Sequence, residues 1–191
     1  LALLREAGVE VHAGPAGDDA VDRADTAVLV GAYAIAPRRH QRWLRRDVPH
    51  LPVVFGDLAV GVGPFVTPGS GPCLRCADLH RRDRDPAWPA IAAQLHVRPA
   101  PGETELICGA VGSVAAGAVL AHLAGDALPV GTALRFDRRT LRWSEETRTP
   151  HPECGCLSPA APPWPPVPAR PGTGTAAGRT GVPAGCRAWT S

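Results

Sequence analysis

Two short cysteine turns, nearly eighty residues apart, constrain this chain more than any other feature. One is Pro72-Cys73-Leu74-Arg75-Cys76; the other is His151-Pro152-Glu153-Cys154-Gly155-Cys156. Four thiolates delivered as two close pairs suit tetrahedral zinc, with each pair supplied by one tight turn and the ion closing the long loop between them. Prolines and glycines flank both pairs, as turns that aim two sulfurs at one point require. Two other readings stay open at this stage: a redox or disulfide pair, and unrelated buried cysteines. Structural zinc on Cys73, Cys76, Cys154 and Cys156 is the favoured one.

The chain has 191 residues, of which 45 % are hydrophobic, enough for one domain with a real core. Six cysteines could suggest a secreted disulfide scaffold, but that pattern belongs to shorter chains with dense, regular spacing. No charged-then-apolar leader is visible, so the expected setting is a reducing cytoplasm. The longest apolar run, Ala110 to Gly125, carries His122 and falls short of the ~20 residues of a membrane span, so no membrane partner is expected. A net charge of +2 gives no reason to expect nucleic acid. Every basic residue is Arg, which excludes a phosphate-loop lysine and a Schiff-base lysine. The first residue, Leu1, sits inside a helical pattern, and the chain is expected to begin mid-domain.

Along the chain, Leu1 to Ala7 reads as a helix end stopped by Gly8, and Val9 to Ala13 alternates like a strand. Thr26 to Val30 and Pro52 to Gly56 are continuous apolar runs of the kind a parallel sheet buries on both faces. Between them Pro37 opens a helix through Arg46. Strands alternating with helices imply an α/β sheet. Val60 to Thr67 is a glycine-interrupted strand. Helices are predicted over 76–84, with Asp78 and Arg82 spaced to pair at i,i+4, over 88–95, and over 108–124, whose small residues permit close approach to a sheet. Leu134 to Phe136 and Leu141 to Trp143 alternate about a turn, a hairpin signature. This α/β domain is assigned to residues 1–157. Residues 158–191 are rich in Pro, Ala and Gly and read as a disordered tail in which Trp164 and Trp189 are isolated and Cys186 has no partner.

The order of these elements, with three stretches, resembles the C-terminal half of the ubiquitin-activating-enzyme-like fold, the ThiF and MoeB family. The stretches are Gly71-Pro72-Cys73-Leu74-Arg75-Cys76, Gly109-Ala110-Val111-Gly112-Ser113-Val114 and His151 to Cys156. The resemblance implies a Rossmann-like sheet lacking its N-terminal nucleotide-binding part, with structural zinc on Cys73, Cys76, Cys154 and Cys156. The family's second pair is usually C-x-x-C; here it is C-x-C. The family's G-x-G-x-x-G turn is absent, and Gly31-Ala32-Tyr33-Ala34 stands where a D-x-x-D-N segment manages the ATP magnesium. ATP is therefore not expected on this chain. The run from Cys73 to Pro89 resembles the branch that works in azole and azoline peptide biosynthesis in actinobacteria. That likeness implies a non-catalytic scaffold that binds a precursor leader peptide and presents it to a YcaO-type cyclodehydratase, with a homodimer as a further possible partner. Two other readings stand beside it: a fragment of a ThiF/MoeB-type adenylyltransferase that activates a carrier-protein C-terminus, and a zinc-ribbon-like interaction module.

Single residues are read more plainly. Cys108 is expected to be a small buried residue at a helix start, His151 a turn residue rather than a metal ligand, and His80 an exposed helix histidine. Arg38, Arg42, Arg45 and Arg46 form a solvated basic side, with a docking surface as the functional alternative. Asp57 is read as a turn cap near the carboxyl edge of the sheet. No catalytic triad or carboxylate pair is recognisable from spacing.

Overall fold

Apolar runs that cannot face water on either side must become the middle of a sheet, and those of this chain do. The computed structural model describes residues 1–15, 17–96, 98, 104–157 and 187–190. In chain order these are α1 (Ala2–Glu6), β1 (Glu10–Ala13), α2 (Asp18–Arg23), β2 (Thr26–Ala32), α3 (Pro37–Arg45), β3 (His50–Phe55) and β4 (Ala59–Val62). They are followed by α4 (Leu74–Arg84), α5 (Trp88–Leu95), α6 (Glu105–Ala124), β5 (Thr132–Asp137), β6 (Arg142–Thr147) and β7 (Arg187–Thr190). One sheet runs in the order β1-β7-β2-β3-β4-β5-β6. It is parallel from β1 to β3 and antiparallel from β3 to β6, which makes the fold mixed α/β.

Alternation along the strands sorts the core into two clusters. Val28, Val53, Phe55, Val60, Val62 and Phe136 face Leu4 of α1 and Ile107, Val111, Ala115 and Val119 of α6. On the other side Ala27 and Leu29 meet Ala20 and Val21 of α2, Trp43 of α3, Ile35 and Val48.

Four features depart from the sequence-based expectation. Of the small residues expected to approach the sheet, Ala116 is buried in the core and Gly112 borders a groove against β2 and β3, but Gly109, Ser113 and Gly117 point away, and a Cβ on either of those two glycines would meet nothing within 4 Å. The face that packs is Ile107-Val111-Ala115-Val119, because the larger side chains at four-residue spacing bury more apolar area. α6 also starts earlier, at Glu105, where the Thr104 hydroxyl accepts the Ile107 N–H at 3.4 Å. Its 20 residues are, by length and composition alone, enough to cross a membrane, which the run 110–125 is not. Third, α2 is a helix too short to announce itself by periodicity. Finally, Arg187–Thr190 forms a strand paired with both β1 and β2, although 158–191 reads as a structureless tail. Composition averaged over that long segment hides four residues able to fill the gap between two parallel edges. Residues 158–186, with Trp164 and Cys186, lie outside the described residues.

Candidate metal centre

The two cysteine pairs arrive by different local devices. Cys73 is the extended residue that precedes α4, and Cys76 lies in that helix's first turn, so a three-residue spacing puts both sulfurs on one side, 3.9 Å apart. The position also sets them at the positive end of the helix dipole, which favours thiolate. The second pair has only one residue between its cysteines. Its chain closes by hydrogen bonds of 2.9 Å from the Cys154 N–H to the His151 carbonyl and 2.8 Å from the Cys156 N–H to the Cys154 carbonyl. That last i→i+2 closure is a tighter turn than C-x-x-C uses, and it delivers both sulfurs regardless.

Across the pairs, Cys73 Sγ lies 3.6 Å from Cys154 Sγ and Cys76 Sγ 3.4 Å from Cys156 Sγ; all four sulfurs fall within 4.8 Å of one another. Zinc–sulfur bonds of about 2.3 Å at tetrahedral angles place sulfurs about 3.8 Å apart, so the four fit one ion. None is bonded to another, since a disulfide needs about 2.05 Å, and all four are free thiols. Cys73, Cys76 and Cys154 are buried and Cys156 is half-buried. Burial raises the Cys73 thiol well above its ordinary value, and it raises Cys154 to about 11. For Cys76 burial acts in the same direction but is outweighed by hydrogen bonds from the His151 and Cys73 backbone and from Cys156 and Cys154, so its pKa falls. A cluster that resists holding four negative charges by itself suits a divalent cation, which deprotonates coordinating thiols.

The surroundings explain why these turns stay together. His151, 4 % exposed, accepts the Glu153 N–H at Nδ1 (3.1 Å), and its Nε2–H donates to Asp83 at 2.7 Å. With both ring nitrogens engaged, His151 shapes the turn and is not a ligand. His80 is half-buried: its Nε2 bonds the Thr149 carbonyl at 3.1 Å, and its ring meets that of His151 edge-on at 4.8 Å. Arg82 spans Asp83 (2.7 Å) and Glu153 (3.0 Å). The expected Asp78–Arg82 pair does not form; Asp78 takes Arg81 at 3.3 Å and the Trp88 Nε1–H at 3.1 Å. Gly71 holds φ at +92°, in the region side-chain-bearing residues rarely adopt, so the approach to Cys73 favours glycine. Asp83, Arg82 and Glu153 carry no signal in the sequence, because their partnership crosses some seventy residues and depends on the fold.

Other singled-out residues lie elsewhere. Cys108 is exposed, not buried: it sits in the first turn of α6 and lines an open groove between that helix and Val28, Val53 and Phe55 of the sheet. Asp57, beside the carboxyl end of β3, accepts the Tyr33 hydroxyl at 2.6 Å, and Tyr33 itself holds the unusual φ of +59°. Within the basic side of α3, Arg46 pairs with Asp22 at 2.5 Å and Asp18 at 3.6 Å, tying α3 to α2.

No protein-family model matches the sequence, and no curated protein does. Solved structures do. A heterocyclase in complex with substrate and cofactor is 17 % identical over 76 % of this chain and 25 % of its own, with a TM-score of 0.53. E. coli MccB is 16 % identical over 71 % of this chain and 40 % of its own, with a TM-score of 0.48. The microcin C7 biosynthetic enzyme MccB in complex with N-formylated MccA is 15 % identical over 70 % and 41 %, with a TM-score of 0.49. The chain therefore spans a quarter to two fifths of the length of these structures. The heterocyclase carries the same fold over the matched region; identity at this level supports no more than that.

Proposed function

We propose that this chain is a zinc-stabilised, Rossmann-like ThiF-type scaffold that holds the leader of a ribosomal precursor peptide and presents it to a YcaO-type cyclodehydratase forming azole or azoline rings. It works in the reducing cytoplasm, where thiols stay free for metal. The observation that carries the reading is the four-sulfur cluster, which joins α4 to the turn after β6 on a mixed sheet whose fold is similar to part of the heterocyclase. Zinc on Cys73, Cys76, Cys154 and Cys156 supplies folding free energy rather than chemistry: four protein ligands leave no open position for water or substrate. ATP use belongs to the partner in this scheme. The test is capture of a cognate leader and a YcaO partner by the purified chain, with no ATP–pyrophosphate exchange of its own.

A second reading is a portion of an adenylyltransferase, favoured by Asp57 beside Tyr33 at the carboxyl end of β3, where α/β sheets take ligands. ATP–pyrophosphate exchange by the chain, lost in Asp57→Asn, would favour this reading over the scaffold.

A further inference from the structure

The side of the sheet that faces α4 and α5 is built unlike the side that faces α6. In β4, Val60 and Val62 are spent on the α6 core, so strand alternation turns Gly61 the other way. A Cβ at Gly61 would meet nothing within 4 Å. A cleft of about 280 Å³ opens there, lined by Tyr33, Trp88, Leu134 and three guanidinium groups, those of Arg81, Arg135 and Arg148.

The charges in this cleft do not balance. Glu146 is shared by Arg148 and Arg135, the latter at 3.8 Å, and Asp78 serves Arg81 at 3.3 Å while also accepting the Trp88 Nε1–H. Three cations thus meet two carboxylates. The Arg81 guanidinium lies over the Trp88 ring, 4.8 Å from its centroid. Burial lowers its pKa, and the charge of Arg148 pushes the same way, against Asp78. Two like charges held near each other beside an open space favour an incoming anion. The walls, however, are apolar: Val54, Trp88, Leu95 and Ala133 also line the cleft. A small inorganic anion leaves those walls wet, whereas a peptide bearing alternate acidic and apolar side chains covers both kinds of surface.

We propose that this cleft binds an acidic peptide segment, with one carboxylate between Arg81 and Arg148 and an apolar neighbour against Trp88 and Leu95. The proposal rests on the reading that the chain holds a peptide, and it adds where and by what chemistry.

The test uses the full chain and a fluorescein-labelled peptide of alternating glutamate and leucine, followed by fluorescence anisotropy. The same peptide with glutamine for glutamate is the control, and inorganic pyrophosphate the competitor. The glutamate peptide should bind at least about tenfold more tightly than the glutamine one, and Arg148→Gln or Arg81→Gln should each weaken it by about tenfold, the worth of one charge-assisted bond. Gly61→Leu fills the floor at a backbone angle outside the left-handed region and should abolish binding; circular dichroism checks that each variant is folded. Equal binding of both peptides, or no binding of either, overturns the proposal. Binding that survives Gly61→Leu and the arginine variants overturns this site. If capture of a cognate leader persists in those variants, the peptide reading of the whole chain stands and only its location falls. Displacement of the peptide by pyrophosphate at far lower concentration than by free glutamate overturns the peptide assignment in favour of a phosphate ligand.

Discussion

The core under α6 and the cysteine corner are held by opposite means. The first gathers fifteen buried side chains from α1, α6, five strands and Val9 in the turn between α1 and β1; the second has four, and three of them are cysteines. Apolar burial contributes about 25 cal/mol per Å², so a large cluster loses stability by degrees as side chains are trimmed. The corner has too little area for that. Val66, with Leu44 and Leu79 at its margin, cannot fix two turns nearly eighty positions apart. Its geometry comes from sulfurs that converge on one point, so under the proposed zinc reading it depends on a cation in an all-or-none way. One region is graded and the other is switched.

The largest expected effect follows from that contrast. Cys76→Ser, or removal of metal by a strong chelator, should unfold the corner while β2 and β3 remain protected. Hydrogen exchange should show full loss of protection over 71–84 and 150–157 with slow exchange retained over 50–55. Uniform loss across the sheet would show that the two regions are one cooperative unit. In the graded region, Leu51→Ala removes a side chain that is 2 % exposed and should cost about 2–5 kcal/mol in denaturant unfolding without any loss of metal.

Acid should act next. Burial lowers His40 and His50 to about 4 from the ordinary 6.5, with the charge of His50 adding to the effect on His40. Both are neutral in the fold, and the ring nitrogens of His40 and Nε2 of His50 have no partner among the described residues. The unfolded chain therefore binds more protons between these values. Stability is whole above about pH 6.5 and is lost as the pH falls toward 4, on the order of 3 kcal/mol per histidine. His50→Gln should flatten that slope in a urea titration; an unchanged slope would assign the acid sensitivity to the thiolates instead. The smallest effect belongs to Asp83. Its carboxyl is held below the usual value chiefly by His151 and then by Arg82, so its contribution is present above about pH 3.8 and disappears as the pH falls below that. Asp83→Asn should lower the melting temperature slightly at neutral pH and leave metal content intact.

How far the sequence reaches differs between the same two regions. The convergence of the four cysteines was legible, because cysteines paired by turn residues have few other uses. So were β2 and β3, whose unbroken apolar runs fit only a buried strand. The support around the four sulfurs was not, since Asp83 meets His151 and Arg82 meets Glu153 only after α4 has docked. The face of α6 was misread at Gly109, Ser113 and Gly117, though not at Ala116, for a related reason: small residues allow close packing, but they do not compel it, and the Ile107-Val111-Ala115-Val119 stripe buries more. β7 was invisible because four residues inside a proline-rich segment gain their order from two strands far away in sequence.

The central claim is one metal ion shared by both turns. Titrating the native protein with a mercurial while following released zinc tests it most directly. The account predicts one zinc per chain, released only as four thiols are modified, and still one per chain when Cys108 is replaced by serine. Freshly purified protein with no bound metal and four thiols that react at once, with the corner's hydrogen-exchange protection intact, would contradict it.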